Sequence, residues 1–211
     1  MLTVHHLGRS QSERIVWLCE ELGLDYELKR YDRAPLLAPP EYKALHPIGT
    51  APVITDGKLA LGESGAIIEY ILAKYGKGRL ARQPGHPEFA SYLYWLHFAN
   101  GSFQALLHRT LIARRFEPAT GHPVIVNLQV RLAGALEFMN RRLGEADYLA
   151  GDALTAADIM IVFSLTTMRS FTAYDLKPYS NILGYLRRIG ARDAYQRAMR
   201  KGDPGMTLLL D

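Results

Sequence analysis

Residues 52–61, Pro-Val-Ile-Thr-Asp-Gly-Lys-Leu-Ala-Leu, constrain the fold more than any other stretch. Two short apolar runs flank Asp56-Gly57, a dipeptide suited to the tight turn of a β-hairpin. Upstream, Leu2–His6 reads as a short strand and Ile15–Leu22 as a helix, with apolar residues at 15, 16, 18, 19 and 22 and Gly23 as its stop. Residues 26–31 alternate as a strand, a proline-rich loop covers Asp32–Pro40, and a helical turn over Glu41–Leu45 ends before Pro47. Ser64–Tyr75 follows the hairpin as a helix.

This order, β-α-β and then β-β-α, is the layout of a thioredoxin-like α/β domain, although order alone fits other α/β folds. The predicted domain covers 1–76. Residues 77–87, rich in Gly, Pro and basic side chains, read as a linker. Beyond them strand signals vanish, and Glu88–Phe116, His122–Leu143, Ala156–Phe171 and Asn181–Lys201 carry helical periodicity, so 88–211 is expected to be an all-α helical bundle. One local signal there is sharp: Thr155 and Asp158 stand as N-cap and N3, with Leu154 and Ile159 placed as a hydrophobic staple. That assigns Asp158 a structural role.

Bulk properties narrow the function classes. The longest uninterrupted apolar runs are a handful of residues, far short of the ~20 that span a bilayer, and nothing at the N-terminus has the pattern of an export signal. No membrane association is expected, and the cytoplasm is the predicted compartment. Cys19 is the single cysteine, so a Cys-x-x-Cys redox pair is excluded. The net charge is +4, with the basic pairs scattered along helical stretches among acids, which fits solvated helix faces better than a nucleic-acid surface. No metal-ligand pattern is predicted.

Three stretches of the first domain carry candidate chemistry. Ser10-Gln11-Ser12-Glu13 has capping-box spacing between Ser10 and Glu13; a capping serine uses an acceptor site and keeps its proton for donation. Ser12 reads as a polar first-turn residue. In His46-Pro-Ile-Gly-Thr-Ala-Pro, Pro52 predicts either an edge strand or a cis peptide that exposes the backbone of Ala51. In Leu61-Gly-Glu-Ser-Gly, Ser64 reads as an N-cap suited to a carboxylate, and Glu63 as a partner for an ammonium. Each has a plain alternative: a cap, a turn, a capped surface helix.

Taken together, and followed by Leu-Thr-Ala-Ala-Asp at 154–158, these stretches resemble the cytosolic glutathione transferase family across essentially the whole chain. The resemblance is closest to serine-type, theta-like members, in a bacterial and fungal branch with Ala38-Pro-Pro-Glu, His46-Pro-Ile-Gly and Glu63-Ser-Gly. It implies a glutathione-binding first domain, a helical domain that holds a hydrophobic electrophile, and a homodimer. It implies Ser10 as the catalytic donor to the glutathione sulfur, with Pro52 as a cis-proline and Ala51 pairing with the cysteinyl backbone. Glu63 and Ser64 would hold the γ-glutamyl ammonium and carboxylate, with Gln11 nearby. Theta-like members often carry Lys where Thr50 stands here, so Thr50, Lys43 and His46 are the candidates for the glycyl end. Asn100 stands where an acid would reach the partner subunit's glutathione.

The remaining expectations are negative or secondary. His5 and His6 read as strand-end residues and not as partners of a serine triad, Cys19 as core, and Arg14 as one half of an ordinary ion pair. Arg33 is a basic member of the proline-rich loop. Phe103, Leu107, His108, Phe116 and Met206–Leu210 are candidates for the wall of the electrophile site, although apolar residues at helical spacing are more often core. Two competing functions share the scaffold: a glutathione-dependent disulfide oxidoreductase and a non-catalytic glutathione-binding module.

Overall fold

The computed structural model describes residues 1–34, 37–116 and 121–211. The expected loop at 32–40 thus includes positions 35 and 36, which lie outside the described residues. The first eighty residues form β1 (Leu2–Leu7), α1 (Glu13–Leu22), β2 (Glu27–Tyr31), α2 (Pro40–Lys43), β3 (Val53–Asp56), β4 (Leu59–Gly62) and α3 (Ser64–Tyr75). Gly23 ends α1 in the left-handed region, where a residue without a Cβ meets no steric penalty, and its amide donates to the Cys19 and Glu20 carbonyls.

The four strands pair in the order β2-β1-β3-β4. β1 and β2 run parallel, and the β1-β3 and β3-β4 pairs are antiparallel, with His5 opposite Val53 and Val53 opposite Gly62. β3 is therefore an interior strand. The edge reading of Pro52 fails, and the Ala51–Pro52 bond is cis. The same register brings the exit of β1, the entry to β3 and the exit of β4 to one end of the sheet. Beneath that end, Leu7, Tyr42 and Val53 form a buried cluster on which Tyr31, Ala38, Leu45 and Ala51 pack, and the Tyr42 hydroxyl donates to the His5 carbonyl at 3.1 Å.

The chain passes between compact units at 81–82, within the predicted linker, but a later segment returns to the first unit. One compact unit comprises 1–81 together with 189–208, and the other 82–188 with 209–211. The helical run expected over 181–201 is two helices, α8 (Ser180–Gly190) and α9 (Asp193–Gly202). α9 lies on α1: Tyr195 meets Trp17 edge to face at 5.0 Å, Arg192 donates to Glu21, and Arg197 and Lys201 donate to Glu20. Tyr195, Ala198 and Met199 are buried at this seam. Periodicity reported only that α9 has an apolar face; what covers that face lies about 180 residues away in the chain.

In the second unit, α4 (Phe89–Phe98) runs through a π-helical turn (Ala99–Gln104) into α5 (Ala105–Phe116), followed by α6 (Pro123–Glu145) and α7 (Ala156–Leu165). A 3-10 turn (Thr167–Ser170) replaces the last part of the helix expected to reach Phe171. The capping box forms as predicted. Asp158, wholly buried, accepts from the Thr155 amide at 2.8 Å, the Leu149 amide at 3.0 Å, and the hydroxyls of Thr155 and Tyr185 at 3.2 and 3.1 Å. Burial raises its pKa, with those four donors acting the other way.

Candidate functional site

The loop from β1 into α1 differs from its predicted capping box. α1 starts at Glu13, whose amide donates to the Ser10 carbonyl and not to its hydroxyl. The amides of Arg14, Ile15 and Val16 are taken by the Gln11 and Ser12 carbonyls. A tight turn over residues 10–12 satisfies the helix start with backbone groups, which leaves the side chains for other work. Ser10 Oγ accepts from the Ser12 amide at 3.2 Å and lies 2.7 Å from both the Leu7 carbonyl and Ser12 Oγ.

Ser12, read from sequence as a bland first-turn residue, is fully buried at the centre of this network. Its Oγ accepts from the Leu7 amide at 3.1 Å and stands 2.9 Å from His6 Nδ1. His6, also fully buried, places Nε2 3.1 Å from Asp203 Oδ2, and Asp203 Oδ1 accepts from the Arg9 amide at 2.9 Å. His6 lies at the end of β1 as expected, and its ring also joins the serines through Ser12, which the sequence reading did not anticipate. His5 does behave as expected: its ring is held between Tyr31 and Thr55, and burial lowers its pKa. Cys19 is core, and burial pushes its thiol up to about 12.

The second group of polar side chains joins α1 to α3. Arg14 is 1% exposed, and its Nη1 donates to Gln11 Oε1 at 2.8 Å and to Ser64 Oγ at 3.2 Å. Ser64 Oγ donates in turn to Gln11 Oε1 at 3.2 Å. Burial lowers the Arg14 guanidinium to about 9, with Glu13 opposing, so it carries its charge at neutral pH. Ser64 is the first residue of α3 and not its cap, and caps nothing with its side chain. The flanking position belongs to Glu63, exposed and held at φ 67°, where a side chain with a Cβ is strained. Such strain persists only where surrounding structure over-determines it.

Ala51 and cis-Pro52 lie at the same end of the sheet as Ser10 and Glu63, as the register requires. The His46 ring packs on Gly62, where a Cβ would come within 3.2 Å of it, and so stands one residue from Glu63. Lys43 and Thr50 are exposed, with the Lys43 stem lying along Gly49. Arg33 ties the loop after β1 in place, donating to the Gly8 and Arg9 carbonyls at 2.9 and 2.8 Å. An open cavity of about 560 Å³ follows that loop, lined by Gly8, Arg9, Arg33, Asp203 and Met206 among others. Of the wall candidates in the second unit, Phe103 and Leu107 are wholly buried core, whereas His108 and Phe116 are exposed. Asn100 is half-buried in the π-helical turn of that unit.

A β2-β1-β3-β4 sheet with a cis-proline ahead of β3, followed in the chain by a helical unit, defines a thioredoxin-like protein with an appended all-α domain. Residues 1–73 match the family model of the glutathione S-transferase N-terminal domain, and 109–188 that of the C-terminal domain. Glutathione S-transferase 3 of Schizosaccharomyces pombe is 32% identical over all of this chain and 92% of its own. A crystal structure of a glutathione S-transferase from Actinobacillus pleuropneumoniae superposes with a TM-score of 0.86 at 34% identity, covering 96% of this chain and 93% of that one. The ternary complex of BphK, a bacterial GST, superposes at 0.78 with 25% identity, covering 95% and 98%. The chain belongs to the glutathione S-transferase family of enzymes.

Proposed function

We propose that the protein binds glutathione at this end of the sheet, ionises its thiol with Ser10 and transfers the sulfur to hydrophobic electrophiles. The observation that carries this reading is the convergence of Ser10, the Ala51–Pro52 pair and the strained Glu63 beside Ser64. Glu63 offers an exposed carboxylate to the γ-glutamyl ammonium. Ser64, with the Arg14 guanidinium behind it and the start of α3 beside it, offers donors and positive potential to the α-carboxylate. Gln11 is oriented by both. The backbone of Ala51 pairs with the cysteinyl residue, and Thr50, Lys43 and His46 border the glycyl end.

A free thiol has a pKa of about 8.5, so only a few per cent is thiolate at neutral pH. The Ser10 proton now serves the Leu7 carbonyl or Ser12, both neutral acceptors. A thiolate outcompetes them, because hydrogen bonds to a charged acceptor are roughly twice as strong as neutral ones. Donation from Ser10 contributes about 1.5–3 kcal/mol to the anion and the α1 terminus about 0.3–1 more. At about 1.4 kcal/mol per unit, the thiol pKa falls by roughly one to three units. The thiolate then attacks the electrophilic carbon, forming a C–S bond as the leaving group departs with its electron pair. Organic hydroperoxides are a second substrate class. The working protein is a cytoplasmic homodimer in which Asn100 reaches the partner subunit's glutathione.

The test is an ultraviolet titration of the thiolate of bound glutathione, in wild type and Ser10→Ala, with turnover measured on electrophiles, hydroperoxides and disulfides. The variant is expected to raise the thiol pKa by about one unit or more and to lower turnover at pH 7 by about tenfold or more. An unchanged pKa and unchanged rates would remove Ser10 from the mechanism. Turnover confined to disulfides would assign the protein to glutathione-dependent disulfide exchange.

A further inference from the structure

The proposed thiol activation leaves the destination of the proton open, and the interior of the first unit contains one. We propose that His6, held by Asp203, receives the glutathione thiol proton through Ser12 and Ser10. The inference rests on Ser10 being the residue that faces the sulfur. It does not follow from that role, since a donor serine alone leaves the proton to solvent.

The hydroxyl directions follow from donor and acceptor inventory. The Asp203 carboxyl is held below its ordinary pKa: burial would raise it, but the hydrogen bond and charge of His6, the Arg9 amide and the charge of Arg30 pull it down. At neutral pH it is a carboxylate, an acceptor only, so His6 Nε2 must carry the hydrogen between them. In the neutral ring Nδ1 is then a bare lone pair. Ser12 must donate to it. With its proton spent there and one lone pair taken by the Leu7 amide, Ser12 presents its other lone pair to Ser10, 2.7 Å away. Ser10 divides its one proton between the Leu7 carbonyl and Ser12, each 2.7 Å away; turned to Ser12, it leaves Ser10 Oγ as the acceptor for an incoming S–H.

The transfer then balances along the chain. The S–H bond breaks and a Ser10 O–H forms; the former Ser10 proton moves to Ser12 Oγ, and the former Ser12 proton to His6 Nδ1. The result is a thiolate and an imidazolium, with Nε2–H still on the Asp203 carboxylate. Every hydroxyl has reversed: His6 donates to Ser12, Ser12 to Ser10, and Ser10 to the thiolate. Ser10 donation to the sulfur and the carboxylate at Nε2 both act on the product side. After conjugation the imidazolium returns its proton along the same hydroxyls to the departing anion or to water.

Packing is consistent with a site kept for this pair. A Cβ on Gly202, the last residue of α9, would stand 3.2 Å from His6 Nε2 and 3.3 Å from Cε1, and one on Gly8 would stand 3.3 Å from Asp203 Oδ1. Neither His6 nor Asp203 touches the thiol. Both are positioning residues, and Arg9, Arg30, Asp32 and Arg33 line the adjacent cavity with Asp203.

The test is a proton count on the full-length protein. Glutathione is added in weakly buffered solution near pH 7.5, with thiolate followed in the ultraviolet and released protons by an indicator dye. In wild type, thiolate is expected to appear with well under one proton released per thiolate. In Ser12→Ala and His6→Gln, less thiolate is expected, with a thiol pKa about one unit higher and one proton released per thiolate formed. One proton per thiolate in wild type overturns the relay without any variant having to fold. So does a thiol pKa in Ser12→Ala that matches wild type. Either result leaves the donor role of Ser10 standing, whereas a wild-type thiol pKa reproduced by Ser10→Ala removes both.

Discussion

Two aspartates, one in each compact unit, are put to opposite uses. Asp158 receives four donors, two amides and two hydroxyls, all from residues fixed by the helices and loop of its own unit. Its acceptor capacity is filled and its network ends in the fold. Asp203 receives an amide from Arg9 and the His6 ring, and from His6 the hydrogen bonds continue through Ser12 to Ser10. A closed network stabilises; a network whose last hydroxyl can exchange acceptors transmits a proton position. Asp158 is buried and the Asp203 side chain is only 9% exposed, so exposure alone does not distinguish a structural acid from a functional one. What distinguishes them is whether each partner has an alternative.

The largest effect is expected at the closed network. Asp158→Ala leaves four buried donors without an acceptor and should destabilise the protein by on the order of 3–5 kcal/mol, read by chemical denaturation, while turnover per folded molecule stays near wild type. Asp203→Asn should reverse that pattern. Its stability loss should be about 1–2 kcal/mol, and turnover at pH 7 should fall by about tenfold. Equal ratios of stability loss to turnover loss in the two variants would break the distinction.

Acid sharpens it next, because the signs differ. Glu20 and Asp203 are held below their ordinary values: burial raises Glu20, but its bonds from Lys201, Tyr26 and Arg197 outweigh that. Their contribution is complete above the ordinary carboxylate range of about 4 and is lost as pH falls through the folded-state values. Asp158 is raised by burial, so its contribution is greatest at acid pH and shrinks as pH rises through its folded-state value. Hydrogen exchange should therefore show α1 and α9 losing protection on acidification before the capping box of α7 does. The opposite order would contradict the assignment.

The smallest effects come from two glycines. Gly202→Ala places a methyl against the His6 ring, and should cost about 1 kcal/mol and raise the thiol pKa of bound glutathione. Gly134 lies exposed inside α6 with no atom near the added Cβ, so Gly134→Ala should stabilise by roughly 0.5–1 kcal/mol and leave the thiol unchanged. Paired thermal melts and thiolate titrations check both.

Much of this was legible locally. The Asp56-Gly57 hairpin, the span of α3 and the Thr155–Asp158 box each depend on residues within a few positions of one another, and each formed where the pattern placed it. The register that gathers Ser10, Ala51 and Glu63 needed the pairing of His5 with Val53 and of Val53 with Gly62, which the element order along the chain does not give. The details of that site were less readable. Ser10 and Glu13 have the spacing of a cap, yet backbone carbonyls satisfy the helix start, and spacing does not report which acceptor an amide finds. Arg14 lies three residues from Gln11, a helical neighbour that the pattern could have supplied, but its contact with Ser64 crosses 50 positions.

The amino-acid sequence by itself determined the hairpin, the span of α3 and the placing of a serine at the exit of β1, and narrowed Pro52 to two readings, because propensity, turn chemistry and periodicity act over short separations. Only the tertiary structure decided that α9 lies on α1, and with it that Asp203 reaches His6 across 197 positions. That contact turns the Ser12 proton to His6 and offers the Ser10 proton a second acceptor beside the Leu7 carbonyl. A hydroxyl has no preferred acceptor of its own and takes the one that neighbouring donors leave open.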